Sequence, residues 1–193
     1  IACMPRKEKI HDMFNSIAAD YDKLNHIMSL DIDKSWRKRA LRRILKSTRD
    51  ERRAGREIDE KRRLRSIEVL DVACGTGDFS IAIAEAMRKI AKDGSDSGKA
   101  DAMGHVTGVD LSEGMLEVMK DKVAKAGLED LISCETGDCE NLRFQDSSFD
   151  RVTAAFGVRN FENREKGLRE MLRVLKPGGK LVILERSVPS NAF

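Results

Sequence analysis

Three sites at the ends of short apolar runs carry the most chemistry in this sequence: the glycine loop of residues 71–78 with Thr76, Asp110, and the Asp138-Cys139 pair. Thr76, Asp110 and Asp138 are expected to converge on one hollow beside Tyr21 and Arg159. Asp71 begins the run Asp71-Val-Ala-Cys-Gly-Thr-Gly-Asp78. Gly75 and Gly77, on either side of Thr76, let a chain turn sharply after a strand and bring its backbone close to a ligand, while the following helix presents free N–H groups. A dinucleotide pyrophosphate would use the same loop, but the third glycine of that fingerprint falls at position 80, where Ser80 stands. That counts against a nicotinamide cofactor. Asp110 closes a second apolar run, where a carboxylate can accept both hydroxyls of a ribose; alone, it would equally suit a turn or cap. In Gly137-Asp138-Cys139 the carboxylate can accept from an adenine amino group while the Cys139 N–H serves a ring nitrogen, a polar turn being the alternative. Taken together, the three sites describe an adenosyl pocket.

The elements that must position these residues alternate in type. Strands are expected at 67–72 (IEVLDV), 105–110 (HVTGVD), 132–135, 149–155 and 180–185 (KLVILE). Helices are expected at 79–90, 112–126 and 165–175, the second with Ser112 as N-cap and Gly127 as its stop. The KPGG sequence at 176–179 reads as a turn, and 93–103 as a loop. Two helices precede the first strand: 10–17, with apolar Ile10, Met13, Phe14 and Ile17, and 33–45, with Trp36, Ala40, Leu41, Ile44 and Leu45. This alternation predicts an α/β, doubly wound, mostly parallel sheet with helices on both faces, of the Rossmann-like kind. Such sheets bind ligands beyond the carboxyl ends of their strands, where all three aspartate sites fall. The chain divides into an N-terminal helical segment, 1–66, and an α/β core, 67–193.

At 193 residues the length suits one such domain. The net charge of +3 is unevenly spread: residues 37–65 hold 14 Lys or Arg against 5 Asp or Glu, leaving 22 basic and 28 acidic groups elsewhere. A basic block of this kind suits either a solvated helix face or an anionic partner surface. The four cysteines form no C-x-x-C pair and have no histidine cluster beside them, so neither a metal site nor a disulfide framework is expected, and a reducing, cytoplasmic setting fits. No apolar run reaches membrane-spanning length.

Beyond the glycine loop, the run Phe14-Asn-Ser-Ile-Ala-x-x-Tyr21-Asp22-x-x-Asn25, continuing through Ser29 to Trp36-Arg37, is distinctive. So are Phe156-Gly-Val-Arg159-Asn160 and Arg173-Val-Leu-Lys-Pro-Gly-Gly-Lys-Leu-Val-Ile-Leu-Glu185-Arg-Ser187. With these, the chain from about His11 to Ser187 resembles the UbiE-type ubiquinone/menaquinone biosynthesis methyltransferases, within the class I S-adenosylmethionine-dependent enzymes. The resemblance implies S-adenosylmethionine as cofactor and S-adenosylhomocysteine as product. It implies cofactor contacts at Asp71, Gly75, Thr76, Gly77, Asp110, Leu111, Asp138, Cys139 and the position of Ala155, where some members carry a serine whose side-chain contact alanine cannot make. Asp33 stands where the first signature usually has histidine.

The implied reaction methylates a ring carbon of a reduced, polyprenylated quinone, either a naphthoquinol or a benzoquinol. Tyr21, Asn25, Arg159 and Asn160 are the groups expected around the ring, Arg159 steadying a phenolate or orienting water because its guanidinium stays protonated. Tyr21 and Asn25 would equally make a helix-end hydrogen-bond pair, and Trp36 reads as a packing residue. A membrane-resident substrate suggests peripheral contact with the inner membrane face. No nucleic acid is expected, since Ala154-Ala-Phe-Gly replaces the Asn/Asp-Pro-Pro-Tyr-type clamp of many base methyltransferases. A scaffold that binds cofactor without catalysis is the remaining alternative. The first residue is Ile1 and the last, Phe193, falls just after the fifth strand, whereas family members continue with further helices and a strand hairpin. An excerpt is therefore expected, with cofactor binding retained and turnover weakened; a homodimer covering the strand edge is the other possibility.

Overall fold

The computed structural model describes residues 7–22, 32–46, 66–93 and 103–185. Asn25, Ser187 and most of the basic block, 47–65, lie outside the described residues. The elements are α1 (Lys7–Ile17), α2 (Ile32–Leu45), β1 (Val69–Val72), α3 (Asp78–Asp93), β2 (Val106–Asp110), α4 (Glu113–Ala126), β3 (Ile132–Thr136), β4 (Phe149–Ala155), α5 (Arg164–Val174) and β5 (Leu175–Leu184). A short 3-10 turn, Val158–Asn160, follows β4.

All five strands are parallel, in the order β3-β2-β1-β4-β5. Alternate residues of the central strand serve opposite faces, as strand geometry requires. Val69 joins Val106 and Ile132 under α2, α3 and α4, through Ile44, Ile83, Met87, Leu116 and Met119. Leu70 and Val72 join Val152 and Ala154 under α5, through Met171 and Val174. The sheet is thus doubly wound, as its alternating pattern predicts. Chain order reverses between β1 and β4, which puts the ligand crevice of such folds at the ends of these two strands.

Local chemistry sets the helix ends. The Ser112 side chain accepts from the Met115 N–H, and Gly127 adopts the left-handed conformation (φ 60°) while its own N–H reaches the last carbonyls of α4. The carboxyl end of α2 is held from the sheet. Arg151, fully buried in β4, donates from Nε to the Ile44 carbonyl at 2.9 Å, and Lys180 of β5 donates to the Arg43 and Lys46 carbonyls. Two cations at the negative end of a helix dipole fix the orientation of α2, and with it Trp36 and Arg37.

Two expectations need correction. The KPGG stretch does not separate α5 from its strand: β5 starts at Leu175, paired with Phe149, and the next pair is Arg151 with Lys180. Residues 176–179 bulge out opposite Asp150, with Gly178 at φ 76° and the Lys176 ammonium on the Asp150 carboxylate at 2.9 Å. Glu185 lies beyond the strand. On α1 the inward residues are Lys7, Ile10, His11 and Phe14, while Met13, expected in the apolar stripe, is 48% exposed.

Candidate cofactor site

The loop after β1 folds as its glycines require. Ala73, Gly75 and Gly77 all have positive φ (54°, 56° and 80°). A side chain on Gly77 would come within 2.4 Å of Met119 Cγ, so this glycine packs the loop against α4; at Gly75 an added carbon would meet nothing within 4 Å. Gly75 is therefore where a ligand can approach the backbone. Gly77 supports the turn and does not line the cleft described below.

Asp110 is pinned by two backbone donors, Gly75 N–H to Oδ2 at 2.8 Å and Ser112 N–H to Oδ1 at 2.9 Å. Burial raises its pKa, opposed by those N–H groups. Each oxygen keeps a lone pair for a further donor. Around Asp110 opens a large lobe of about 720 Å³, counted to its mouth. Leu111, Met115, Asp138, Cys139, Ala155 and Asn160 contribute to its walls, and one face of α1 forms its roof. Asp138 takes the Glu140 N–H on one oxygen and the Lys7 ammonium on the other, at 2.9 and 2.8 Å. Burial would lift its pKa, but Lys7 and the Glu140 N–H outweigh it and hold the carboxyl below its usual value. The Cys139 thiol is pushed up by burial and stays protonated.

A smaller, more polar lobe of about 390 Å³ adjoins the first and shares Tyr21, Ala73, Gly75, Ala155 and Phe156 with it. Its remaining wall includes Arg37, Asp71, Thr76 and Asp78. Asp71 is fully buried; Ser80 donates to its Oδ2 at 2.6 Å, while Oδ1 has no hydrogen-bond partner. Burial pushes its pKa up to about 7, against the lowering influence of Ser80 and Arg37. A buried carboxylate oxygen without a donor is costly unless something arrives to satisfy it.

The rim is a chain of charges. Thr76 donates its hydroxyl to Asp22 at 2.6 Å, Lys122 bridges Asp22 and Asp78, and Arg37 pairs with Asp78. Thr76 is thus committed through its hydroxyl to Asp22, which ties the segment bearing Tyr21 to the glycine loop. Along α1, Lys7 holds Asp138 and Glu140, His11 meets Glu113 at 2.8 Å, and Asn15 accepts from the Ser112 hydroxyl and the Gly114 N–H. No residue of α1 itself is buried, so polar anchors hold this roof.

Of the groups expected around a substrate ring, Tyr21 and Asn160 line the cleft, and Tyr21 packs edge-on to Phe14 (5.9 Å between centroids). Arg159 is not part of the lining; its guanidinium reaches Glu185 at 3.3 Å. Trp36 packs against Phe156, 6.3 Å between centroids. Sequence reasoning missed Lys7, His11, Arg37 and Phe156 as parts of the site. Arg37 stood inside a quoted motif, and 7, 10, 11 and 14 share one helical face; nothing in the sequence marked Lys7 as turned inward.

Comparison with known proteins agrees with this architecture. The profile of the ubiE/COQ5 methyltransferase family matches residues 3–193. The chain is 40% identical over 186 residues to a demethylmenaquinone methyltransferase of Bacteroides fragilis, covering 96% of this chain and 63% of that protein. It is 42% identical over 184 residues to a ubiquinone/menaquinone biosynthesis C-methyltransferase UbiE of Geobacter sulfurreducens, covering 95% and 60%. It thus spans a little under two thirds of the length of these relatives. A crystal structure from Methanococcus maripaludis, described as a candidate S-adenosyl-L-methionine-dependent methyltransferase, superposes with a TM-score of 0.63 over 95% of this chain and 66% of that one. At 21% identity that likeness speaks for the fold alone. On the family match and the relatives together, the chain belongs to the ubiE/COQ5 methyltransferase family.

Proposed function

We propose that this chain binds S-adenosylmethionine and directs its methyl group to a ring carbon of a polyprenylated quinol. The observation that carries the reading is the two-lobed cleft at the β1/β4 switch point. Its large lobe is built around an anchored carboxylate, and its small lobe presents an unpaired, buried Asp71 oxygen beside Arg37. An adenosine with an amino-acid end matches that layout. In this reading Asp110 accepts the ribose hydroxyls, and Asp138 with Cys139 borders the base. Asp71 Oδ1 takes an ammonium and Arg37 a carboxylate.

When bound, the cofactor supplies an electrophilic methyl group on a sulfonium. The protein must hold the acceptor ring in line with it and exclude water. In this reading Tyr21 and Asn160, which line the cleft, hydrogen-bond the ring oxygens. The ring carbon becomes nucleophilic as its neighbouring hydroxyl loses a proton to a side chain or a held water. Arg159, in the turn after β4, lies outside the cleft lining and pairs with Glu185 just beyond β5, so no contact with the phenolate is assigned to it.

A prenylated substrate resides in lipid, and α2 turns Lys38, Arg39, Arg42 and Arg43 to solvent. These cations suit an anionic membrane surface. Among the described residues no helix is long and apolar enough to cross a membrane. The test of the reaction is transfer of labelled methyl from S-adenosylmethionine by the full-length protein to demethylmenaquinol, a methoxy-benzoquinol and RNA. Transfer to either quinol supports the reading. Transfer to RNA alone, or to none while the cofactor still binds, overturns it.

A further inference from the structure

We infer that Phe156 and Tyr21 form an aromatic clamp that recognises the positive charge of the sulfonium, so that the site distinguishes the charged methyl donor from its neutral product. The inference rests on the cofactor reading above. The large lobe suits an adenosine and the small lobe an amino acid, so the sulfur joining those two parts falls where the lobes meet. Five residues border both lobes, and Tyr21 and Phe156 are the two aromatic ones.

Phe156 holds this place at a cost. Its φ of 63° lies in the left-handed region, where a bulky residue is a genuine outlier. Strain of this kind persists where surrounding structure over-determines it. Here the Phe156 N–H donates to the Leu184 carbonyl at 2.7 Å. The next residue, Gly157, lies so near Ala73 that an added carbon would come within 2.5 Å of its Cβ. The crossing of the loops after β1 and β4 thus pins the backbone of Phe156. Trp36 packs against the ring, and the Arg37 guanidinium stands 5.9 Å from its centroid, so the ring already neighbours one cation. Asp78 pairs with that guanidinium, and Asp71 adds a second carboxylate nearby, which limits repulsion of an arriving sulfonium.

An aromatic quadrupole attracts a desolvated cation more strongly than it does a neutral thioether of similar shape, whose sulfur–aromatic contact carries no net charge. Three ligands separate charge from shape: S-adenosylmethionine, neutral-sulfur S-adenosylhomocysteine, and sinefungin, which carries an ammonium in place of the sulfonium. Affinities are measured by calorimetry on the full chain for the wild type, Phe156→Leu and Phe156→Tyr. Leucine suffers the same backbone strain and keeps an apolar side chain, so the comparison isolates the ring. For Phe156→Leu we expect affinity for S-adenosylmethionine and sinefungin to fall about 5- to 30-fold, with S-adenosylhomocysteine changing by less than about twofold. Phe156→Tyr should keep the wild-type ranking. If Phe156→Leu does not fold, Tyr21→Leu against Tyr21→Phe carries the same expectation. Parallel losses for all three ligands, or no loss for any, overturn the clamp while leaving the cofactor reading intact. A wild type that binds none of the three overturns both.

Discussion

Replacing Asp71 with asparagine should make the empty protein more stable and the cofactor complex weaker. Asp71 is fully buried with one oxygen unpaired, and its pKa rises from 3.8 to about 7. Between those values the folded state holds a proton that the unfolded state releases, so stability falls as pH rises through this window and levels off above it. A shift of about three units corresponds to roughly 4 kcal/mol at pH 8. Asparagine removes the charge and can still accept from Ser80, but it buries an amide N–H group without a partner, which costs about 1–3 kcal/mol. The net gain is roughly 1–3 kcal/mol at pH 8, or about 3–10 °C in melting temperature for a domain of this size. At pH 4 or below the gain vanishes or reverses. Binding moves the other way: losing a charge-assisted hydrogen bond to the ligand ammonium is worth about 1.5–3 kcal/mol, or roughly 10- to 150-fold in Kd. Thermal melts at pH 4 and pH 8, with calorimetric titration of S-adenosylhomocysteine, read both effects. Lower stability at pH 8 in the variant, or unchanged affinity, would refute the argument.

Other changes have equally definite outcomes. Gly77→Ala forces a side chain to within 2.4 Å of Met119 Cγ at φ 80°, and should cost about 1–3 kcal/mol in urea unfolding. Asp110→Ala removes the acceptor for the Gly75 and Ser112 N–H groups and for the ribose, so S-adenosylhomocysteine affinity should fall at least about 100-fold by calorimetry, with a lower melting temperature. Charge reversal at Arg39, Arg42 and Arg43 should abolish co-sedimentation with anionic vesicles and leave cofactor affinity within about twofold, because these side chains are exposed and face away from the cleft. Unchanged vesicle binding would remove the membrane contact from the account.

Where a signal is local, the sequence carried it. Ser112 and Gly127 bound α4 because capping depends on the few residues at a helix end. Asp71 within β1, Asp110 at the end of β2 and Asp138 just after β3 border the adjoining lobes because they lie toward the carboxyl edge of one parallel sheet, and alternation of elements makes that sheet readable. Long-range pairing was not readable. The KPGG turn sits inside β5 because Lys176 reaches Asp150 on the neighbouring strand. Lys7 and His11 turn inward because Asp138, Glu140 and Glu113 wait on other elements, while apolar Met13 stays outside. Periodicity within α1 could not foresee carboxylates more than 100 positions away. The roles of Asp22 and Arg37 likewise depend on the network around Lys122.

The most direct test of the two-lobed cleft is the electron density of S-adenosylhomocysteine in crystals of the full chain. The account predicts ribose hydroxyls on the Asp110 carboxylate, the base beside Asp138 and Cys139, and the amino group on Asp71 Oδ1 with the carboxylate toward Arg37. Density in the reverse orientation, or on another face of the molecule, would contradict it.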